Sequence, residues 1–166
     1  MYANCRGIKG KKDSLKEIVE KIDPDIIILN ETMYKNNENT KLKGYKSYTN
    51  NREEKGGGGI EIIVRNSKEN RTLKVSEGNK DIEELTIRTE TKKRVLNIIT
   101  LYGKIEGRES KEKIREQFSH TEELIKNIEK AGEDYILIGD LNAKIGNKDD
   151  GIKGNNEEKM KQEKPY

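Results

Sequence analysis

The stretch Tyr-Ile-Leu-Ile-Gly-Asp-Leu-Asn-Ala-Lys-Ile-Gly, residues 135–146, decides how the rest of the chain is interpreted. Its apolar run, residues 136–138, follows a charged helical segment and is typical of a buried strand. Gly139 ends the run, and Asp140 and Asn142 follow at positions that share one face of an extended chain. Ligand sites in α/β proteins collect at such strand ends, although Gly, Asp and Asn are also ordinary turn residues. This stretch alone therefore leaves two interpretations open, a turn and a functional site.

The composition indicates one domain with a modest core. The chain has 166 residues, of which 30% are hydrophobic and 39% are charged. The apolar residues are concentrated in a few segments, which excludes uniform disorder. The 34 basic and 31 acidic residues give a net charge of +3, which permits nucleic-acid binding without requiring it. A single cysteine, Cys5, excludes an internal disulfide framework and fits a reducing compartment.

Hydropathy along the chain predicts a protein that acts outside the membrane. No apolar run approaches the ~20 residues of a membrane span, and no signal-peptide pattern precedes Asn4. The sequence therefore predicts a nuclear or cytoplasmic protein that is not secreted.

The spacing of apolar residues predicts two helices among several strands. A helix from about residue 14 to 21 is expected to begin at a capping box, Ser14 with Glu17, and to stop before Pro24. A longer helix over 110–131 is expected to pack through an apolar stripe and to end at Gly132. The stripe consists of Ile114, Phe118, Leu124, Ile125 and Ile128. Strands are predicted for the runs 1–8, 25–30, 45–49, 60–65, 72–76, 85–89, 95–102 and 135–138.

Polar side chains stand at the ends of several of these strands. Asn4 lies in or just after the first strand, Glu31 directly follows the second, and Tyr102 ends the run 95–102. If these strands are neighbours that point the same way, their ends converge with Asp140 and Asn142 on one pocket. A carboxylate there suits a hard ion such as Mg²⁺, which polarises a phosphoryl oxygen. A Tyr can donate a hydrogen bond to the developing anion, and an Asn can orient water or phosphate.

The order of the short motifs carries a family resemblance. The motifs are Asn4-Cys5-Arg6-Gly7, the run Ile-Ile-Ile-Leu-Asn-Glu-Thr ending at Thr32, the glycine run 56–59, Leu101-Tyr102 and Gly139-Asp140-Leu141-Asn142. In this order they resemble the endonuclease/exonuclease/phosphatase superfamily, which has the DNase I-like fold. They are most similar to the endonuclease domains of non-LTR retrotransposon polyproteins. The resemblance covers residues 1–146 and favours a functional site over a simple turn.

The resemblance implies a fold and a chemistry. The fold would be an α/β sandwich of two mixed sheets with outer helices, and the reaction would be Mg²⁺-dependent (or Mn²⁺-dependent) hydrolysis of a phosphodiester in DNA. Glu31 would be the main metal ligand with Asn4 beside it, and Tyr102 would contact the scissile phosphate. Asp140 would orient or activate the nucleophilic water or protonate the leaving group, while Asn142 would hold the phosphate and position Asp140. A reverse transcriptase domain of a parent polyprotein would be a partner.

The sequence departs from the family pattern after Asn142. Family members carry a later Asp and a terminal Asp-His pair, but no histidine follows Asn142 here. The sole histidine, His120, falls inside the long helix and is expected to be an ordinary helix-surface residue. The sequence therefore predicts a C-terminally truncated domain over 1–146, with an incomplete second sheet and an uncovered apolar face or edge. Residues 147–166 are predicted to form a polar, flexible tail.

Smaller departures concern individual residues. Arg6 stands where a second carboxylate is sometimes found, so it is a candidate phosphate contact as well as an ordinary exposed base. Gly103-Lys104 follows Tyr102 where the family commonly has a small residue and Pro. Asp149 and its neighbour Asp150 are interpreted as a solvated loop. Cys5 is interpreted as a packing residue.

Three functions remain open on the sequence. The first is a retroelement-derived DNA endonuclease whose activity in this chain is weak or absent. The second is a phosphatase of the same superfamily that acts on a phosphorylated lipid, inositol or nucleotide. The third is a catalytically dead module that binds nucleic acid or protein.

Overall fold

Two sheets and two helices make up the part of the chain that the structure describes. The structure is a computed structural model that describes residues 1–51, 58–69, 71–78, 83–103 and 110–142. The first sheet takes its strands from β1 (Tyr2–Asn4), β2 (Ile26–Asn30), β3 (Tyr45–Asn50) and β4 (Ile60–Arg65). The second takes its strands from β5 (Arg71–Glu77), β6 (Glu84–Glu90), β7 (Val95–Tyr102) and β8 (Asp134–Asp140). The helices are α1 (Lys12–Ile22) and α2 (Lys111–Lys130).

Each sheet is mixed and contains one parallel pair. The first sheet has the order β1-β2-β4-β3 and the second the order β5-β6-β7-β8. The strands β1 and β2 run parallel, as do β7 and β8, and the other pairs are antiparallel. The predicted α/β sandwich of two mixed sheets is confirmed, with four strands in the second sheet.

The main core lies between the two sheets. Strands rich in Ile and Leu face each other there because their alternate side chains point to one side of each sheet. The buried residues of this core are Ile28, Tyr48, Ile60, Ile62, Val64, Leu85, Ile87 and Ile98. This layer fixes how the ends of β1 and β2 meet the ends of β7 and β8.

Helix α1 covers the other face of the first sheet. Leu15 and Val19 are its buried residues, and they pack on Ile27, Leu29 and Ile63. The predicted capping box is wrong, because the helix begins at Lys12 after a short 3-10 turn and has no side-chain cap. The helix stops at Ile22, where Asp23 adopts a left-handed conformation and donates its backbone N–H to Val19 O.

Helix α2 covers the second sheet through a more polar face than the apolar stripe predicts. Its buried residues are Gln117, Thr121 and Ile128, whereas Phe118 is 37% exposed. The reason is that the sheet presents polar groups there: Gln117 Nε2 donates to Tyr102 O and Thr121 Oγ1 donates to Glu84 Oε2. Hydrogen bonds, in addition to apolar contact, therefore set where this helix lies.

An ion-pair network joins the segment after α2 to the second sheet. Arg88 Nη2 lies 2.7 Å from Glu133 Oε1, and Asn97 Nδ2 donates to Glu133 Oε2 over 2.8 Å. The hydrogen bonds from Arg88 and then from Asn97 lower the pKa of Glu133 from 4.5 to about 2. The ionised carboxylate is therefore favoured in the folded state.

Glu133→Gln is expected to flatten the acid-induced loss of stability. The pKa of Glu133 is lower in the folded state than in the unfolded state. Its contribution to the free energy of unfolding is therefore complete above about pH 4.5 and is lost as the pH falls towards about 2. Urea unfolding midpoints measured across this window should fall less steeply for Glu133→Gln than for the parent chain. Glu20→Gln, at an exposed position on α1, is the matched control and should follow the parent. Parallel curves for Glu133→Gln and the parent would contradict the expectation.

The apolar side chains of strand β8 are partly exposed, although the sequence predicts a buried strand there. Tyr135, Ile136 and Leu137 are 38%, 49% and 40% exposed. The strand lies at an edge of the second sheet, where it pairs only with β7 among the described residues, so half of its surroundings are open. The interpretation as a buried strand is wrong, whereas the uncovered apolar edge predicted for the second sheet is present.

Some predictions fall outside the described residues. These are the first half of the glycine run, Lys104, the Asp149-Asp150 loop and the tail over 147–166. The boundary at residue 146 stays a prediction for the same reason. Within the described residues, neither helix is long and apolar enough to span a membrane.

Candidate active site

Four strand ends meet at one end of the sandwich. The strand β1 lies against β8, and β2 lies against β7, across the gap between the sheets. Because β1 and β2 are parallel in one sheet and β7 and β8 in the other, their carboxyl ends gather at the same edge. In each pair the last residues are in register, Asn4 opposite Asn30 and Tyr102 opposite Asp140.

Asn4 links two carboxylates from different sheets. Its Nδ2 donates to Glu31 Oε1 over 2.8 Å and lies 3.4 Å from Asp140 Oδ2. Among the described residues, neither Glu31 nor Asp140 has a cationic partner within ion-pair distance. The result is a concentration of negative charge that no described Lys or Arg compensates.

Asn142 and Tyr102 complete the cluster. The backbone N–H of Asn142 donates to Asp140 Oδ1 over 3.1 Å, and its Nδ2 donates to Gly103 O over 2.8 Å. Burial raises the pKa of Tyr102, and a hydrogen bond to Glu31 raises it further, while one to Asn142 opposes this. The phenol therefore stays protonated at neutral pH and is available as a hydrogen-bond donor.

The backbone around the cluster is strained. Arg6, Glu31, Met33 and Asn142 have left-handed conformations, with φ of 43°, 53°, 56° and 45°. Non-glycine residues adopt this region at an energetic cost that the surrounding structure must offset, and such residues are frequent at functional sites.

Hydrogen bonds on both sides hold the turn at Glu31. Gly7 N–H donates to Glu31 O over 2.8 Å, and Thr32 N–H donates to Gly59 O over 3.1 Å. A Cβ on Gly59 would lie 2.6 Å from Thr32 Oγ1, so this close approach requires a glycine. The second half of the glycine run therefore serves the segment that carries Glu31.

Asn30 is a residue of the site that the sequence did not reveal. Its side chain is fully buried, its Nδ2 donates to Leu101 O over 3.0 Å, and its Oδ1 accepts from Thr100 Oγ1 over 3.3 Å. These bonds tie the end of β2 to the end of β7 across the sandwich. An amide at the end of an otherwise apolar strand is the signal that could have identified it.

Tyr2 is a second phenol at this end of the sandwich. Burial raises its pKa, followed by the negative charges of Asp140 and Glu31, while a hydrogen bond with Asn30 opposes the shift. Tyr2 shares a face of β1 with Asn4 because a single residue, Ala3, lies between them along the extended strand. That spacing was visible in the sequence, but which face pointed inward was not.

Two glycines let β7 and β8 approach closely. A Cβ on Gly139 would overlap the carbonyl oxygen of Leu101, and one on Gly103 would overlap that of Leu141. Gly103 N–H donates to Asp140 O over 2.6 Å. Gly103 is thus required by the close packing next to Asp140.

Arg6, a predicted phosphate contact, touches the cluster only through its backbone, and His120 and Cys5 were not predicted to belong to the site. The Arg6 backbone N–H donates to Asn4 Oδ1 over 3.3 Å, but its guanidinium has no described hydrogen bond or ion pair. His120 is 39% exposed, and its Nε2 lies 3.7 Å from the fully buried Glu84 carboxylate on the α2 side of the second sheet. Cys5 is buried, which raises its pKa to about 11 and keeps the thiol protonated.

The donor set fits a hard divalent cation. Within the described ranges, no group of three or more His, Cys, Asp and Glu side chains is placed to hold a metal ion. A Mg²⁺ site does not need three, because this ion keeps several waters and uses one or two carboxylates together with substrate phosphates. Glu31 and the amide of Asn4, with Asp140 beside them, supply that chemistry. The roles of these residues nevertheless stay predictions.

A cavity of about 540 Å³ lies at the other end of the sandwich. Among its lining residues are Lys46, Arg65, Lys68 and Arg71, and none is a carboxylate. Arg65 follows Val64, which pairs with the start of β2, whereas Glu31 follows the end of β2. This cavity is therefore separate from the carboxylate cluster, and its lining is basic.

Comparisons with known proteins agree with this geometry. The endonuclease domain of TRAS1, a telomere-specific non-LTR retrotransposon, is similar with a TM-score of 0.60 and 16% identity, over 87% of this chain and 60% of that one. The 3′-5′ exonuclease NExo from Neisseria meningitidis has a TM-score of 0.60 and 14% identity, over 85% of this chain and 56% of that one. The AP endonuclease LMAP from Leishmania major has a TM-score of 0.51 and 20% identity, over 64% and 40%. At these identities the likeness shows the DNase I-like fold, and the chain spans about 40–60% of the length of these structures.

A family model gives the assignment. No curated protein sequence matches the chain. The model of the Endonuclease/Exonuclease/phosphatase family, however, matches residues 1–150. This range includes the cluster of Asn4, Glu31, Tyr102, Asp140 and Asn142. The chain therefore belongs to the endonuclease/exonuclease/phosphatase family.

Proposed function

We propose that this protein hydrolyses a phosphodiester bond in DNA with the help of a bound divalent cation, Mg²⁺ or Mn²⁺. The observation that carries the proposal is the bridge from Asn4 Nδ2 to Glu31 Oε1 and Asp140 Oδ2, over 2.8 and 3.4 Å. It brings together two carboxylates that belong to different sheets and have no described cationic partner. A cation and a phosphate group are the natural complement of such a cluster.

Glu31 and Asn4 would hold the cation. Glu31 supplies a carboxylate, and the Asn4 amide orients it through the 2.8 Å hydrogen bond. When bound, the cation withdraws charge from a phosphoryl oxygen and stabilises the anion that develops there. Glu31 directly follows the last residue of β2 and has a left-handed backbone, with φ of 53°.

Asp140, Asn142 and Tyr102 would act on the phosphate and the water. Asp140 can orient a water or exchange a proton with it, since one of its oxygens already accepts from the Asn142 N–H. Tyr102 can donate its phenolic proton to a phosphate oxygen because its raised pKa keeps it protonated. Asn142, anchored at Gly103 O, fixes the position of Asp140.

Nucleic acid is the substrate class that the similar structures favour. Their names describe a retrotransposon endonuclease, a 3′-5′ exonuclease and an AP endonuclease. We accordingly propose DNA as the substrate, a reverse transcriptase domain as a partner within a parent polyprotein, and the nucleus or cytoplasm as the location.

A second candidate is a module that binds DNA without cleaving it. The observation that favours it is the position of the sole histidine, because His120 faces Glu84 and not Asp140. No other imidazole in the chain is available to protonate a leaving group. Such a module would bind the phosphate backbone through Lys and Arg, which requires no metal.

One experiment separates these candidates from each other and from a phosphatase. The folded protein is incubated with Mg²⁺ and either supercoiled plasmid or a phosphorylated small molecule. The proposal predicts nicked plasmid and no phosphate release, whereas phosphate release alone would assign a phosphatase. Salt-dependent DNA binding that persists in a chelator, without nicking, would assign the binding module.

A further inference from the structure

Glu61 is a buried carboxylate outside the cluster. It is the second residue of β4, between Ile60 and Ile62, and it is 0% exposed. Its strand is central in the first sheet, with β2 on one side and β3 on the other. Along β4, Glu61 shares a face with Ile63, which packs in the core beneath α1.

Both oxygens of Glu61 bind one residue of the segment that follows Glu31. Thr40 N–H donates to Glu61 Oε1 over 2.8 Å, and Thr40 Oγ1 donates to Glu61 Oε2 over 2.7 Å. Tyr34, which is 3% exposed, places its hydroxyl 3.1 Å from Thr40 Oγ1. We call these three residues, Glu61, Thr40 and Tyr34, the Glu61 clamp.

Two further contacts enclose the clamp. Ser47 Oγ donates to Thr40 O over 2.9 Å, which joins the same residue to β3. The ammonium group of Lys12, at the start of α1, lies 5.2 Å from the centre of the Tyr34 ring. The clamp is therefore attached to β3, β4 and α1 and not only to its own segment.

The segment that the clamp holds is under strain. Glu31, Met33 and Asn36 all have left-handed backbones, with φ of 53°, 56° and 48°. Non-glycine residues adopt this conformation at an energetic cost, so they persist only where the surrounding structure determines it. Release of the clamp would let this segment relax, and Glu31 lies at its first residue.

Glu61 lies at a costly place for a carboxylate. Burial raises the pKa of Glu61, against the lowering effect of its hydrogen bonds from Thr40. A leucine at this position could not accept from Thr40, and it would leave the buried N–H and hydroxyl of Thr40 without this partner. Glu61→Leu therefore releases Thr40 and also lowers the free energy of unfolding.

We infer that Glu61 is a positioning residue for Glu31, because the Glu61 clamp fixes the strained segment from Glu31 to Thr40. This inference rests on the proposed function, in which Glu31 holds the cation. Residues that orient a metal ligand from outside typically change metal affinity by about 10- to 100-fold when they are replaced. Glu61 would act in this way through the backbone.

The test compares Glu61→Leu with Glu61→Gln in the full chain. Mn²⁺ affinity is measured by electron paramagnetic resonance, and amide hydrogen exchange is measured at Met33 and Thr40. Glu61→Leu is expected to weaken Mn²⁺ binding by about 10-fold or more and to speed exchange at both amides. Glu61→Gln keeps an oxygen that can accept from Thr40 N–H, so it should restore most of the affinity.

A control separates this effect from a general loss of stability. Ile87→Val removes a methyl group from a fully buried residue between the sheets and should lower the urea midpoint without changing Mn²⁺ affinity. The inference would be overturned if Glu61→Leu bound Mn²⁺ as tightly as the parent chain and exchanged its Met33 and Thr40 amides at the parent's rates. It would also be overturned if Ile87→Val lost as much Mn²⁺ affinity as Glu61→Leu. Absence of Mn²⁺ binding by the parent chain would instead overturn the proposed metal site. The exchange at Met33 would then decide alone whether Glu61 holds the Glu31 segment.

Discussion

Asp140→Asn is expected to lower metal-dependent cleavage of DNA by about 10²- to 10⁴-fold, the usual contribution of a positioned acid or base. The substitution removes a negative charge and a proton acceptor but keeps the shape of the side chain. One oxygen remains to accept the N–H of Asn142, so the turn from Asp140 to Asn142 should be preserved. Initial rates of plasmid nicking, measured at equal protein concentration, would give the ratio.

Asp134→Asn is the matched control for this measurement. Asp134 begins β8, the strand that Asp140 ends, and its side chain is exposed. The control changes the net charge by the same amount and should leave the nicking rate unchanged. A nicking rate for Asp140→Asn within about 3-fold of the parent, which is under 1 kcal/mol, would remove Asp140 from the chemistry.

Asn30→Leu is expected to destabilise the fold by about 2–4 kcal/mol and to separate the two halves of the site. The fully buried amide donates to Leu101 O and accepts from Thr100 Oγ1. Leucine has a similar volume, but it leaves the Leu101 carbonyl oxygen and the Thr100 hydroxyl without this buried partner. Each such group lowers the free energy of unfolding by about 1–3 kcal/mol. Urea unfolding midpoints would report the loss of stability.

The predicted loss depends on both bonds across the sandwich. Thr100→Val removes only the bond to Asn30 Oδ1, so it should lower the free energy of unfolding by less than Asn30→Leu.

A second consequence of Asn30→Leu concerns the site, because Glu31 follows β2 and Tyr102 ends β7. Asn30→Leu should therefore weaken Mn²⁺ binding even in conditions where the protein stays folded. An unfolding midpoint equal to that of the parent would show that the two sheets do not depend on Asn30.

The strands of the fold were predictable because their patterns are local. Strands were predicted for the apolar runs 25–30, 60–65 and 95–102, and these runs form β2, β4 and β7, which are inner strands of the two sheets. The exposure of β8 was not predictable from its sequence, since the same apolar run suits a central or an edge strand. The capping box failed because a 3-10 turn before Lys12 begins the helix earlier than Ser14.

The candidate site likewise contains residues that were predictable from the sequence and residues that were not. Asn4, Glu31 and Asp140 stand at strand ends, which the sequence shows, and their order resembles a known family. Asn30 and Glu61 act through contacts between strands that are far apart in the chain, so their partners depend on which faces meet. A buried amide and a buried carboxylate in apolar strands were visible, but only the three-dimensional structure shows what each one holds.

Nicking of supercoiled plasmid by Glu31→Gln in the presence of Mg²⁺ tests the central claim most directly. Glu31 joins the strained segment to the Asn4 bridge, and in the proposed function it holds the cation. The account predicts that the parent chain nicks the plasmid, that Glu31→Gln does not, and that Glu20→Gln on the exposed face of α1 behaves as the parent. Nicking by Glu31→Gln at the parental rate, or no nicking by a folded parent chain at any Mg²⁺ or Mn²⁺ concentration, would contradict it.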